Sequence, residues 1–283
     1  TFKLTINYRS NKSIVDLANE IINKNHFKIN KKMLSSNKDV NKPTIYKLNS
    51  LYDEIKYIAL SIKKDINENG INPEDIAILA RNNQPLFYIE EYLTMLKIKN
   101  IFISSDFKST RFLQEDYITL STIHSAKGLE WKKVYLMGMN EEFFPSKKDI
   151  SSNILADIEE ERRLFYVGVT RCKDDLILTF NKNGKPSQFL TELNSDLFNQ
   201  TGECVYIQES ENVSNAQYNF ELLNINISVT SLIKRLNGED YIKLKEQKII
   251  DDFEFNTKKV YESFVYPDFV KKHDFYTDFG CFV

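Results

Sequence analysis

The sequence predicts a three-layer α/β fold on a mostly parallel sheet, with an α+β extension at its C-terminal end. Across the first 200 residues, apolar runs of strand length alternate with stretches of helical periodicity, the pattern of strand-helix crossovers. The run DIAILA, Asp75 to Ala80, is apolar without alternation, as in strands covered on both faces. Past about Asn194 the character turns polar, rich in Asn and Ser, which places a domain over 1–200 and the extension over 201–283, with a linker near 209–218.

The elements follow in order. Ser10 or Asn11 caps a helix whose Ile14, Leu17, Ala18, Ile21 and Ile22 keep the spacing of one apolar face. Thr44 to Leu48 reads as a strand. A helix from Tyr52 to Ile66 is closed by Asn69-Gly70. Gln84-Pro85 opens a helix to Leu96, and Asn100 to Ser104 is again strand-like. Tyr117 to Ile123 and Lys133 to Met139 are strands separated by the compact HSAKGLEW. Asp157 to Val169 is a helix with Glu159 placed to pair with Arg163, and Leu176 to Phe180 is the strand after it.

Composition removes several classes of function. The 283 residues carry 38 Lys and Arg against 40 Asp and Glu, so there is no basic field over the whole chain, only room for local patches. No stretch has the roughly 18 uncharged apolar residues of a membrane span, and TFKLTINYRS lacks the pattern of a secretory signal. Cys172, Cys204 and Cys281 are widely spaced, which fits a reducing compartment such as the cytoplasm. His26, His124 and His273 each stand alone, so no metal ligand set is expected. Neither a G-x-x-x-x-G-K-[ST] loop nor a G-x-G-x-x-G motif is present to cradle phosphates.

Three segments combine a strand end, a charged residue and small residues at a turn: INYRS, TLSTIHSAKGLEWKKVYLMGMNEEFFPS and EEERRLFYVGVTRCKDDLIL. Arg9 and Arg171 are guanidiniums at element ends, suited to phosphate on an exposed edge. Taken singly, Arg9 reads as a surface ion-pair partner, Tyr8 as a half-buried aromatic and His124 as a structural histidine. Trp131 reads as core, and Arg162 and Arg163 with Glu159 to Glu161 as a solvated helix face.

Taken together and in this order, NYRS, TIHSAKGLEW…FFPS and EEERRLFYVGVTRCKDDLIL resemble the fourth, fifth and sixth motifs of superfamily 1 helicases of the UvrD/Rep/PcrA type, over residues 1 to about 195. The later KPSQFLTEL is similar to the stretch that closes the second RecA-like domain of that family. The resemblance implies a RecA-like motor domain using ATP and Mg2+ to move along single-stranded DNA, 3′ to 5′, in repair or replication, in the cytoplasm or at the nucleoid or nucleus. By that resemblance Tyr8 lies near the adenine, Arg9 and Arg171 reach the γ-phosphate as arginine fingers, and Glu130, with Lys127 and Gly128 beside it, borders the nucleotide. Thr122, His124 and Ser125 are expected to grip the DNA backbone.

The sequence also departs from the family. The phosphate loop and the metal-binding D-E-x-Q segment are expected on an N-terminal RecA-like domain that this chain lacks, so the chain alone is expected to be inactive. Only about 20 residues, 97–116, stand where the family inserts an accessory domain. In the tail, ISVTSLIKRL and TDFGCFV resemble the entry to a RecB-like nuclease domain, the other reading being a cap helix and an aromatic strand. Two alternatives to the motor follow: a non-catalytic module that binds nucleic acid or protein, and part of a helicase-nuclease.

Overall fold

A computed structural model describes residues 5–38, 41–103, 116–152 and 154–201. The chain divides into two units, Thr1–Tyr206 and Ile207–Val283, and the described residues all lie in the first. The predicted linker, and the predicted extension beyond Thr201, lie outside them.

In chain order the elements are β1 (Ile6–Asn7), α1 (Lys12–Asn23), β2 (Leu34–Ser35), β3 (Thr44–Leu48), α2 (Leu51–Asn67), β4 (Ile76–Ala80) and α3 (Gln84–Met95). There follow β5 (Asn100–Ile103), β6 (Ile118–Thr122), β7 (Trp131–Leu136), α4 (Lys147–Ser151), α5 (Leu155–Val169), β8 (Cys172–Asn181), α6 (Gln188–Thr191) and β9 (Asn199–Thr201). Seven strands form one sheet in the order β5-β6-β4-β7-β8-β3-β9, and every pairing in it is parallel. β1 and β2 form a separate two-stranded parallel ribbon, with Ile6 opposite Leu34.

The continuous apolar run predicted a strand with both faces covered, and β4 sits inside the sheet with all five residues fully buried. Alternation assigns the two faces. Ala77, Leu79, Val134, Leu136, Leu176 and Leu178 pack with Ile14 and Leu17 of α1 and Phe165 of α5. The intervening Tyr135 and Thr179 turn the other way and bond Asp65 and Glu54 of α2. The result is the three-layer architecture, helices on both faces of a parallel sheet.

Of the two expected caps, Asn11 takes the role: its Oδ1 accepts from the Ile14 amide at 3.0 Å. Ser10 is committed elsewhere, donating to the Cys172 carbonyl at 2.6 Å. β7 begins two residues earlier than expected, at Trp131, and β8 four residues earlier, at Cys172. Trp131 is 1% exposed and donates to Thr119 Oγ1 at 3.2 Å, a core residue as read.

The charged run at the start of α5 is not a solvated face. Glu159, Glu161 and Arg162 are buried because partners distant in sequence meet them. Arg162 donates to Asn25 Oδ1 at 2.8 Å, holds both oxygens of Glu192 at 2.9 and 2.8 Å, and lies 5.2 Å from the centre of the Phe189 ring. Arg81 at the end of β4 donates through Nε to Glu161 at 3.0 and 2.8 Å. The expected pairing of Glu159 with Arg163 is present at 3.5 Å.

Glu54 is fully buried with only neutral donors: the Gly138 amide at 2.7 Å, Thr179 Oγ1 at 2.6 Å and Asn181 Nδ2 at 2.9 Å. Burial raises its pKa, and the three hydrogen bonds lower it only in part. A carboxyl raised on folding contributes stability below its unfolded pKa and loses it as pH rises through the folded value. The wild-type advantage over Glu54→Gln should therefore shrink from pH 4 to pH 7 in urea denaturation. Asn11→Ala removes both the cap and a 2.7 Å bond from Nδ2 to the Asp174 carbonyl, and should cost about 1–2 kcal/mol, read as a fall in Tm.

Candidate functional site

The segment Asn7 to Asn11 is fixed to the start of β8 by its own polar groups. Asn7 Oδ1 accepts from the amides of Arg9 at 2.8 Å and Ser10 at 2.9 Å, folding the chain into a tight turn. Ser10 then bonds the Cys172 carbonyl, the Asn11 amide donates to the Lys173 carbonyl at 2.8 Å, and the Asn11 side chain reaches the Asp174 carbonyl. These contacts set Arg9 beside Arg171.

Arg171 follows the last turn of α5. Its Nε donates to the Val167 carbonyl at 3.1 Å, Nη1 to the Leu129 carbonyl at 3.1 Å and Nη2 to Thr170 Oγ1 at 3.3 Å. A cation at a helix C-terminus satisfies carbonyls that have no intrahelical partner. Arg9 approaches from the other side: Nη1 donates to the Thr170 carbonyl at 3.3 Å and Nε pairs with Glu130. Lys173 holds the second oxygen of Glu130 at 2.9 Å.

Two cations, Arg9 and Lys173, thus pair with Glu130, while Arg171 bonds only neutral groups beside it, so the three cations outnumber the carboxylate by two. The Lys173 ammonium, then Arg9, holds Glu130 below the usual carboxylate range. Burial and then the Arg9 charge lower Arg171 from its ordinary value, against the nearby Glu130 charge, which raises it. The side chains of Arg9 and Glu130 keep 33% and 40% exposure, which leaves the cluster open to an incoming anion. All the cationic groups are donors, which suits phosphate oxygens and not a metal ion.

The expected residues divide into two groups. Arg9, Glu130 and Arg171 come together at the N-terminal ends of β7 and β8. Tyr8 precedes them with 75% of its surface exposed, its carbonyl accepting from Asn37 Nδ2 at 3.0 Å. Thr122, His124 and Ser125 lie at the opposite, C-terminal end of β6. There Thr122 Oγ1 donates to Ser125 Oγ at 3.0 Å and accepts from the Ser125 amide at 3.2 Å. His124 is exposed; partial burial and then the Arg81 charge lower its pKa. Lys127 and Gly128 are exposed on the connection between the two ends.

Sequence reading missed Lys173 and Asn7, each beside a motif arginine, and the pair Arg81–Glu161 near His124. The available signal for Arg81 was a lone guanidinium directly after the buried run of β4. Gly128 has φ +97°, a backbone conformation that strains an L side chain even though a Cβ there would meet only open space. Gly128→Ala should lower stability by about 1–2 kcal/mol through backbone strain alone, measurable as a shift of the urea midpoint.

Comparison with known proteins comes to the same segments. The family described as "UvrD-like helicase C-terminal domain" matches residues 2–114 and 104–183. The chain is 39% identical over 123 residues to a probable DNA helicase II homolog of Mycoplasma capricolum, covering 40% of this chain and 16% of that protein. It is 30% identical over 217 residues to a probable DNA helicase of Mycoplasma pneumoniae, covering 74% of this chain and 38% of that one. It is 32% identical over 200 residues to the ATP-dependent DNA helicase PcrA of Bacillus subtilis, covering 68% and 24% respectively. The aligned segments therefore span between 16% and 38% of these relatives' lengths. On the match across most of its length, the chain belongs to the UvrD-like helicase C-terminal domain family.

Proposed function

We propose that this chain is the C-terminal motor domain of an ATP-dependent DNA helicase or translocase, and that Arg9 and Arg171 are its arginine fingers. The observation that carries the reading is their convergence on Thr170 within a cluster holding two surplus positive charges. Negative charge spreads over the γ-phosphoryl oxygens as the group transfers, and two prearranged guanidiniums stabilise that charge with little reorganisation. Glu130 orients Arg9, and the carbonyls of Val167 and Leu129 orient Arg171. Tyr8, Lys127 and Gly128 border the nucleotide.

The cluster offers donors to phosphate and no phosphate loop, so a second RecA-like domain supplies that loop and the Mg2+ ligands, with ATP in the cleft between the two. When bound, Mg2+ neutralises β- and γ-phosphate charge. Thr122, His124 and Ser125, at the other end of the sheet, belong to the track for single-stranded DNA. Cleft opening and closing would then move the strand along that track.

In a polypeptide that carries this chain together with its phosphate-loop domain, Arg171→Ala should lower DNA-stimulated ATP hydrolysis by about 10³-fold or more while DNA binding persists. Arg171→Lys should not restore it, because an ammonium cannot keep the forked contacts to Val167, Leu129 and Thr170. Unchanged hydrolysis in Arg171→Ala would refute the finger role and favour a non-catalytic binding module. Appreciable ATP turnover by the 283-residue chain alone would refute the division of labour.

A further inference from the structure

The loop between α1 and β2 has a composition unlike the rest of the chain. From residue 21 to residue 38 there are five lysines, Lys24, Lys28, Lys31, Lys32 and Lys38, and no Asp or Glu. The overall formal charge is -2, so this is a local reversal. Among these lysines stand two exposed apolar side chains, Phe27 at 73% and Ile29 at 75%.

The loop is anchored at both feet by buried polar side chains. At one end the Glu159 carboxylate accepts from the amides of His26 and Phe27, and Asn25 Nδ2 donates to the Glu159 carbonyl at 2.9 Å. Burial alone would raise the Glu159 carboxyl, but these amide donors hold it below the usual range, so it stays an anion at the foot of the loop. Arg163 adds a bond to the Phe27 carbonyl at 3.2 Å. At the other end Asn19 spans Met33, accepting from its amide at 3.0 Å and donating to its carbonyl at 2.8 Å. With both feet held in this way the crest is already in place, so binding through it does not first cost the ordering of a free segment.

Its position links it to the other candidate residues. The same stretch of α5 that anchors the loop through Glu159 holds Arg81 through Glu161, and the charges of Arg81, Glu161 and Glu160 all act on His124. The loop therefore stands across one helix from the Thr122–Ser125 end of β6.

We propose that the 24–33 loop is a second contact surface for a nucleic-acid strand, its lysines meeting backbone phosphates and Phe27 stacking on a base. Lysines with an interleaved exposed aromatic match the chemistry of a single strand, whose phosphates repeat while its bases offer apolar faces; of these lysines Lys24 is already paired with Glu20 at 3.0 Å. This rests on the reading of Thr122, His124 and Ser125 as a DNA track, which the loop extends around α5.

The test measures binding of the 283-residue chain to a fluorescent oligothymidine by anisotropy over a range of salt. Three variants are compared: Lys28→Gln with Lys31→Gln and Lys32→Gln together, Phe27→Ala, and His124→Ala. The triple variant should lower the slope of log K against log salt by about 2, at roughly 0.7 for each phosphate no longer neutralised. Phe27→Ala should weaken binding on the order of tenfold with the slope unchanged. The substituted side chains are exposed apart from the half-buried Lys28, and circular dichroism melting checks that the fold is kept. Wild-type slope and affinity in the lysine and Phe27 variants, with His124→Ala weakened, would overturn the loop's role and leave the track reading standing. No binding by the wild-type chain at low salt would overturn both. Weakening in Phe27→Ala without any change in the lysine variant would mark an apolar protein-docking face and overturn the proposal.

Discussion

Much of the candidate site depends on how the short segment Asn7 to Asn11 is fastened to the first three residues of β8. Three hydrogen bonds run across to the carbonyls of Cys172, Lys173 and Asp174, the last from the Asn11 side chain, and two inside the turn to Asn7 Oδ1 shape the segment for them. Through them one residue, Asn11, both starts α1 and fixes α1 against the sheet. They also determine that Arg9 faces Thr170 and Glu130 instead of solvent. Without that fastening the two arginines, 162 positions apart in the chain, would have no common frame.

The distinction between what was legible in the sequence and what was not follows from range. β4, the helix faces and Asn11 as a cap are local properties, set by burial periodicity and short-range hydrogen bonding, and residues 75–80 announced a central strand without any help from neighbours. The arginines themselves were legible through resemblance to ordered motifs. Their partners were not. Nothing near Glu130 in sequence says that Lys173 will hold its other oxygen, since that contact exists only because β7 and β8 pair with Trp131 opposite Cys172.

The start of α5 shows the same limit from the opposite direction. A run of three glutamates and two arginines has the composition of an exposed face, yet three of the five side chains are buried. Each is met by a group far away in the chain: Glu159 accepts from the amides after α1, Glu161 pairs with Arg81, and Arg162 bonds Asn25 and pairs with Glu192. A buried charge is tolerable when paired and hydrogen-bonded, and composition records charges without recording partners. The consequence is that α5 behaves as a hub, joining the loop after α1, the end of β4 and the tail helix α6 through polar contacts instead of apolar packing alone.

The link between β6 and β7 has a mechanical side. Most parallel connections run through a helix with a dozen or more residues to spare. Here residues 123–130, eight in all, leave the C-terminal end of β6, pass β4 and enter the N-terminal end of β7. They must travel roughly a strand length, about 20 Å, while part of the segment is coiled into a turn closed by the Ala126 amide on the Thr122 carbonyl. Eight residues drawn straight reach at most about 29 Å, so little chain is left in reserve. The connection is a short tether, with Ile123 packed beside Gly168, Thr122 at one end and Glu130 at the other. A shift imposed at either end has almost no slack in which to disappear.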